Sequence, residues 1–124
     1  MQNQLAKFVV DAAYTVHTRL GPGLLESVYE TVLEHELRKR QLAVSRQVSI
    51  PISYDDLHIS EAFKADLVVN DALIVELKSI EKLLPVHKKQ LLTYLKLSNK
   101  KLGLLINFGA PLIKEGIIRI ANGL

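Results

Sequence analysis

Residues 66–78, DLVVNDALIVELK, decide the fold. Two short apolar runs flank Asn70-Asp71, the pattern of a β-hairpin that turns at a polar pair. Set among the Leu, Val and Ile are Asp66, Glu76 and Lys78. The register of the hairpin decides what these charges do. A two-residue loop of Asn70-Asp71 pairs Val69 with Ala72 and sends Asp66 and Glu76 to opposite faces. A three-residue loop that includes Ala72 pairs Val69 with Leu73 and sets Asp66 across from Glu76. Lys78, two residues on, then shares that face. In the odd register the carboxylates lie about 5 Å apart and repel each other. The expectation is therefore an odd loop or a bulge, with both carboxylates converging.

Outward from the hairpin, Leu5, Phe8, Val9, Ala12, Ala13 and Val16 recur at helical spacing and predict a helix over 3–19. LGPG (20–23) breaks it. Leu25, Val28, Tyr29, Val32, Leu33 and Leu37 predict a second helix over 24–40, with Arg38, Lys39 and Arg40 at the negative end of its dipole. Residues 44–53 alternate as a strand, YDD (54–56) reads as a turn, and 58–69 and 72–79 read as two more strands. Pro85 opens a helix at a position that tolerates proline. Residues 101–108 and 116–120 read as the last two strands. A crossover helix makes strands 72–79 and 101–107 parallel, and strands apolar on both faces need helices on both sides. The expected fold is α/β, a three-layer α/β/α sandwich around a mixed sheet, with 1–124 as one domain.

The 124 residues are 48% hydrophobic and 23% charged, the balance of a globular chain. The absence of cysteine excludes disulfides and thiolate metal sites and fits a reducing cytoplasm. The N-terminus has no signal-peptide pattern, and no apolar run approaches the ~18 residues that span a bilayer, so a membrane partner is not expected. A net charge of +3 permits a polyanionic partner without requiring one. Lys88, Lys89, Lys96, Lys100 and Lys101 form a basic end, read either as a solvated face or as a place that holds phosphates.

Two readings of Asp66, Glu76 and Lys78 stand side by side. In one they form a cross-strand salt bridge. In the other the two carboxylates and the main-chain carbonyl of Leu77 hold a hard cation such as Mg²⁺, which takes oxygen ligands and keeps several waters. Lys78 would then orient a water or steady phosphate charge.

GLLESVY (23–29), which fits Gly-x-x-Glu-x-x-Tyr, is followed by ADLVV (65–69), VELK (75–78), HKKQLLTYLK (87–96) and LGLLINFG (102–109). In this order and spacing the chain resembles the GxxExxY protein family, placed in the PD-(D/E)XK nuclease superfamily with its restriction-endonuclease-like fold. The resemblance runs from about residue 8 to 120. It implies that Asp66 and Glu76 are metal-binding carboxylates and Lys78 the signature lysine. It further implies that Glu26 is an auxiliary acid at the metal and that Gln90 helps hold the site together. Ala65 replaces the proline of the superfamily's name, and Lys64 stands where related sequences often have Arg, which puts a two-pronged phosphate contact there in doubt. His87, Gln90 and Tyr94 fall on one line of their helix, with packing of Tyr94 and exposure of His87 as the structural alternative.

The resemblance thus implies a Mg²⁺- or Mn²⁺-dependent nuclease, a hydrolase acting on nucleic acid, with DNA the expected substrate. Glu26, Asp66, Glu76 and Leu77 would bind the metal. Any sequence specificity would come from a homodimer or a partner subunit. The alternative is a non-catalytic module that binds nucleic acid or protein.

Overall fold

The computed structural model describes residues 2–123. Two helices, α1 (Gln2–Leu20) and α2 (Glu26–Lys39), precede a meander of β1 (Val44–Tyr54), β2 (Leu57–Val69) and β3 (Leu73–Lys78). Helix α3 (Pro85–Ser98) then leads to β4 (Leu102–Asn107), a 3-10 turn (Ile113–Gly116) and β5 (Ile117–Ala121). The strands form one sheet in sequential order, antiparallel except for the parallel β3–β4 pair that α3 connects. Every element expected from periodicity is present, with ends moved by a few residues at most.

The sheet is covered on both faces, as its two-sided apolar strands require. On one face Val9, Ala12, Ala13 and Val16 of α1 and Tyr29, Leu33 and Leu37 of α2 pack on Leu67, Val75, Leu77 and Leu104. On the other, Leu91 and Leu95 of α3 pack on Ala65, Val68, Ile74 and Leu105. Gly103 admits α3 closely, since a Cβ there would lie 3.0 Å from the Leu91 side chain. Helix α3 begins with Pro85 after Leu84, whose N–H donates to Nδ1 of His87 at 3.0 Å. His87 is thus a helix cap, satisfying one of the donors a helix start leaves over.

The hairpin adopts the odd register. Asn70 and Asp71 both have positive φ (51° and 52°), and the Ala72 N–H donates to the Val69 carbonyl at 3.0 Å. Ala72 is then an extra residue, so Val69 pairs with Leu73 and Leu67 with Val75. Asn and Asp tolerate this left-handed pair because their short polar side chains bond locally. The Asn70 side chain accepts the Ala43 N–H at 2.8 Å, tying the turn to the start of β1.

The regular alternation expected along β1 does not hold. Val44 faces the α1–α2 core and Val48 the α3 core, although both are even-numbered. Gln47 between them has φ 50°, a left-handed kink that turns the strand over at a cost of about 1–3 kcal/mol. The partner strand turns over at the same level: Ala65 faces α3 and Leu67 faces α1 and α2. In register Gln47 falls opposite Asp66, between the Arg46–Leu67 and Val48–Ala65 pairs.

At the far end of β3, Asn107 clamps the chain beyond Lys78. It is 2% exposed and pairs in register with Lys78. Its Oδ1 accepts the N–H groups of Ile80 and Gly109, both at 3.0 Å, and its Nδ2 donates to the Ile80 carbonyl at 2.9 Å. A Cβ on Gly109 would come within 2.1 Å of the Ile80 carbonyl oxygen, so glycine is required there. Asn107→Ala leaves these main-chain groups without partners and should cost about 2–3 kcal/mol, a lower urea midpoint at unchanged slope. A midpoint equal to the parent's would show that the clamp is dispensable.

Candidate active site

The β2–β3 ladder ends at Leu67–Val75. Beyond it β2 follows β1 and β3 follows β4, and the two strands part. Two main-chain donors are thereby left without ladder partners, and the carboxylates take them crosswise. Asp66 N–H donates to Glu76 Oε1 at 3.1 Å, and Leu77 N–H donates to Asp66 Oδ2 at 2.8 Å. The expected facing pair has become two carboxylates that bridge a gap. In an extended strand a residue's N–H and C=O leave from the same edge, so the Leu77 carbonyl also opens toward this gap. The Lys78 carbonyl points the other way, toward β4, where it accepts the Phe108 N–H at 2.8 Å.

Glu76 is only 9% exposed. Burial first, and then the charge of Asp66, push its pKa up to about 8, against the smaller opposing pull of the Asp66 N–H and Lys78. The Tyr94 hydroxyl, pushed upward by burial and by the charges of Glu76 and Asp66, approaches from α3. Its ring stacks on Phe63 with centroids 3.8 Å apart. Lys78 belongs to none of the ion pairs among the described residues. The simple salt-bridge reading of these three residues is therefore not what the structure adopts.

On the α2 side a cavity of about 180 Å³ is lined by Glu26, Ser27, Glu30, Gln47, Asp66 and Leu77. Glu26, the exposed first residue of α2, thus reaches the rim of the Asp66 site, where the helix dipole favours an acid. The Gly-x-x-Glu-x-x-Tyr spacing has a local explanation. Gly23 (φ 103°) turns the chain into α2. Tyr29, fully buried against Phe108, donates its hydroxyl to the Gly21 carbonyl at 2.5 Å and accepts the Leu24 N–H at 3.2 Å. The loop is pinned so that Glu26 starts the helix beside the cavity. Ser79, just after Lys78, donates to the Leu24 carbonyl and fastens the same loop to the end of β3.

Gln90 is exposed on α3, one turn before Tyr94, and makes no hydrogen bond among the described residues. Its side chain forms no hydrogen bond with Asp66 or Glu76, whose bonds run to the Asp66 and Leu77 N–H groups and to Gln47. Two residues that the sequence did not single out do take part. Glu30, one turn beyond Glu26 and buried, accepts Gln47 Nε2 at 2.8 Å and is paired with Arg46 at 3.3 Å. Gln47 Nε2 also makes a long 3.4 Å contact with Asp66 Oδ1. One amide thus lies between two carboxylates and screens them from each other. The i, i+4 spacing of Glu26 and Glu30 was the available signal. The kink that aims Gln47 left none.

The donor set suits a hard divalent cation. Asp66, Glu76 and the Leu77 carbonyl offer oxygen only, and Glu26 stands at the rim. The described residues contain no cluster of three or more His, Asp or Glu side chains arranged to hold a metal. A closed protein cage for a metal is thus absent among the described residues.

A family model of the PD-(D/E)XK nuclease superfamily matches residues 3–120. No curated protein and no solved structure matches the chain. The three layers around a five-stranded mixed sheet agree with the restriction-endonuclease-like fold of that superfamily. No helix among the described residues is long and apolar enough to cross a membrane.

The raised pKa of Glu76 sets the pH dependence of the metal-free protein. A folded pKa of about 8 lies above the ordinary 4.5, so the stability is complete below 4.5 and lost as pH rises through 8. The full loss is on the order of 5 kcal/mol. In EDTA the melting temperature should fall between pH 5 and 8.5, and Glu76→Gln should flatten that fall. A parent whose melting temperature rises over this range would contradict the burial of Glu76 as a neutral acid.

Proposed function

The chain belongs to the PD-(D/E)XK nuclease superfamily, and from that premise we propose a divalent-metal-dependent nuclease that hydrolyses phosphodiester bonds. The observation that carries the proposal is the parting of β2 and β3 around Asp66 and Glu76, with Lys78 two residues beyond and in none of the ion pairs among the described residues. Asp66, Glu76 and the Leu77 carbonyl would hold Mg²⁺ or Mn²⁺, with Glu26 contributing from the rim. Such an ion supplies Lewis-acid stabilisation of phosphate charge and eases loss of a proton from water.

The chain's own residues do the rest. Asp66 is held in place by the Leu77 N–H and faces the Gln47 amide, so its orientation is fixed before substrate arrives. Glu76, whose carboxyl burial pushes up to about 8, would release its proton more readily with positive charge in the gap. The Lys78 ammonium, with no carboxylate partner among the described residues, would orient the attacking water or meet charge developing on the phosphate. Gln90, one turn from Tyr94 on α3, would support the site only when substrate is present. DNA is the substrate we favour.

One observation favours the non-catalytic alternative. Asp66 and Glu76 each satisfy a main-chain N–H, which gives them a structural use without metal. The two readings separate by experiment. With mixed DNA and RNA in Mg²⁺, Mn²⁺ or EDTA, the parent should cut only with metal, and Lys78→Ala should lower the rate at least a hundredfold. Metal at a hundredfold excess over its Kd should stabilise the parent by about 2.7 kcal/mol and leave Asp66→Asn unmoved. In EDTA at pH 8.5, Asp66→Asn should melt higher than the parent, because it removes the charge that opposes ionisation of Glu76. At pH 5 that advantage should vanish. A parent indifferent to both metals, with an Asp66→Asn variant that melts lower at pH 8.5, leaves the non-catalytic module standing.

A further inference from the structure

The charge of this protein is divided along the chain. Residues 78–101 hold seven lysines and one acid, a net +6; residues 1–77 are net −4 and residues 102–124 net +1. The fold sharpens the division. The cations of the first half are largely spent on carboxylates: Arg19, Lys39 and Arg40 on Glu36, and Arg38 and Arg46 on Glu34 and Glu30. Lys64 pairs with Glu61, and Lys100 with Asp71. Lys82, Lys88, Lys89 and Lys96 are exposed and belong to none of the ion pairs among the described residues.

Topology brings these charges to the candidate site. Because α3 joins two parallel strands, it runs back along the sheet, and its first turn lies at the end of β3 where Lys78 sits. Lys82 is in the connecting segment, Lys88 closes the first turn of α3 and Lys89 follows it. Lys89 and Lys96, seven residues apart, share one helix face. Tyr94 of the same helix stacks on Phe63 of β2, three residues before Asp66. An unneutralised cationic surface thus borders a carboxylate site that would repel phosphate without it.

We propose that the β3–α3 connection and the outer face of α3, through Lys82, Lys88, Lys89 and Lys96, bind the phosphate backbone of the nucleic acid. The occupant is chosen by charge: a polyanion matches this face, and the α2 side, with its paired arginines and open Glu26, does not. The inference rests on the nuclease reading for the identity of the polyanion, and its test reads binding apart from cutting.

Affinity for a fluorescent DNA duplex is measured in EDTA at several salt concentrations, with a single-stranded RNA as a second probe. Lys88→Gln/Lys89→Gln is compared with Lys7→Gln/Lys114→Gln, which removes two exposed lysines elsewhere. Both doubles should melt like the parent. The first should flatten the slope of log K against log salt on the duplex by about 1.8, two contacts at about 0.9 each. The second should leave it unchanged. Equal slopes for the two doubles, or a parent that binds neither probe, overturn the surface. Cutting in Mg²⁺ with equal slopes keeps the nuclease and discards this face. A parent that binds through these lysines but cuts nothing with any metal keeps the face and discards the nuclease.

Discussion

Two main-chain amides, those of Asp66 and Leu77, lose their ladder partners where β2 leaves β3, and each is taken by a carboxylate from across the gap. An unpaired N–H at a sheet edge costs on the order of 1–3 kcal/mol when it is cut off from water. A strand that parts from its neighbour inside a two-sided core must therefore bring acceptors of its own. Asp66 and Glu76 are those acceptors. The charges set among Leu, Val and Ile close the sheet where the backbone cannot, and they also gather oxygen atoms at the mouth of the opening.

The same arrangement leaves an electrostatic imbalance. Burial and the nearness of Asp66 push the Glu76 carboxyl up to about 8, which favours its neutral form at neutral pH. Asp66 is less enclosed and has the Gln47 amide between it and Glu30. Burial acts on Glu76 more strongly than the attraction of Lys78, since desolvation is the largest influence on that carboxyl and Lys78 the smallest. Burial thus favours the neutral form of Glu76, the more enclosed of two acids that come from adjacent strands. Separation of titratable partners by environment is a frequent mark of a working site.

Much of this was legible in the sequence, because it follows from local chemistry. The odd loop is set by a polar pair that accepts positive φ and by Ala72 after it. The parallel pair is set by a helix-length crossover opened by Pro85. Glu26 was named only through the family resemblance, and the structure adds the local reason, Gly23 before it and Tyr29 one turn on. What was not legible depends on tertiary geometry. The left-handed backbone at Gln47 has no glycine to announce it, and it turns β1 over only because β2 turns over beside it at Asp66. Glu30 looks like any charged helix residue until Gln47 and Arg46 meet it from β1. Asn107 ends a strand whose other residues are apolar, and its three bonds run to residues on either side of two separate strand ends.

The position of the kink links the fold to the site. If β1 ran straight, Gln47 would keep its place opposite Asp66 but aim its amide elsewhere, and the carboxylates of Glu30 and Asp66 would face each other across the cavity. The 1–3 kcal/mol of backbone strain at such a residue is offset by the bond to Glu30 and by the repulsion it screens. Strain of this kind persists where the surroundings hold it from several sides, and here β2, α2 and the turn at Asn70 all do so. The first half of the chain thus builds an acidic, pre-set opening. Lys78 and the lysines after it bring the opposite charge from the other side of β3. The boundary between the two falls between Glu76 and Lys78, inside the stretch of sequence that decides the fold.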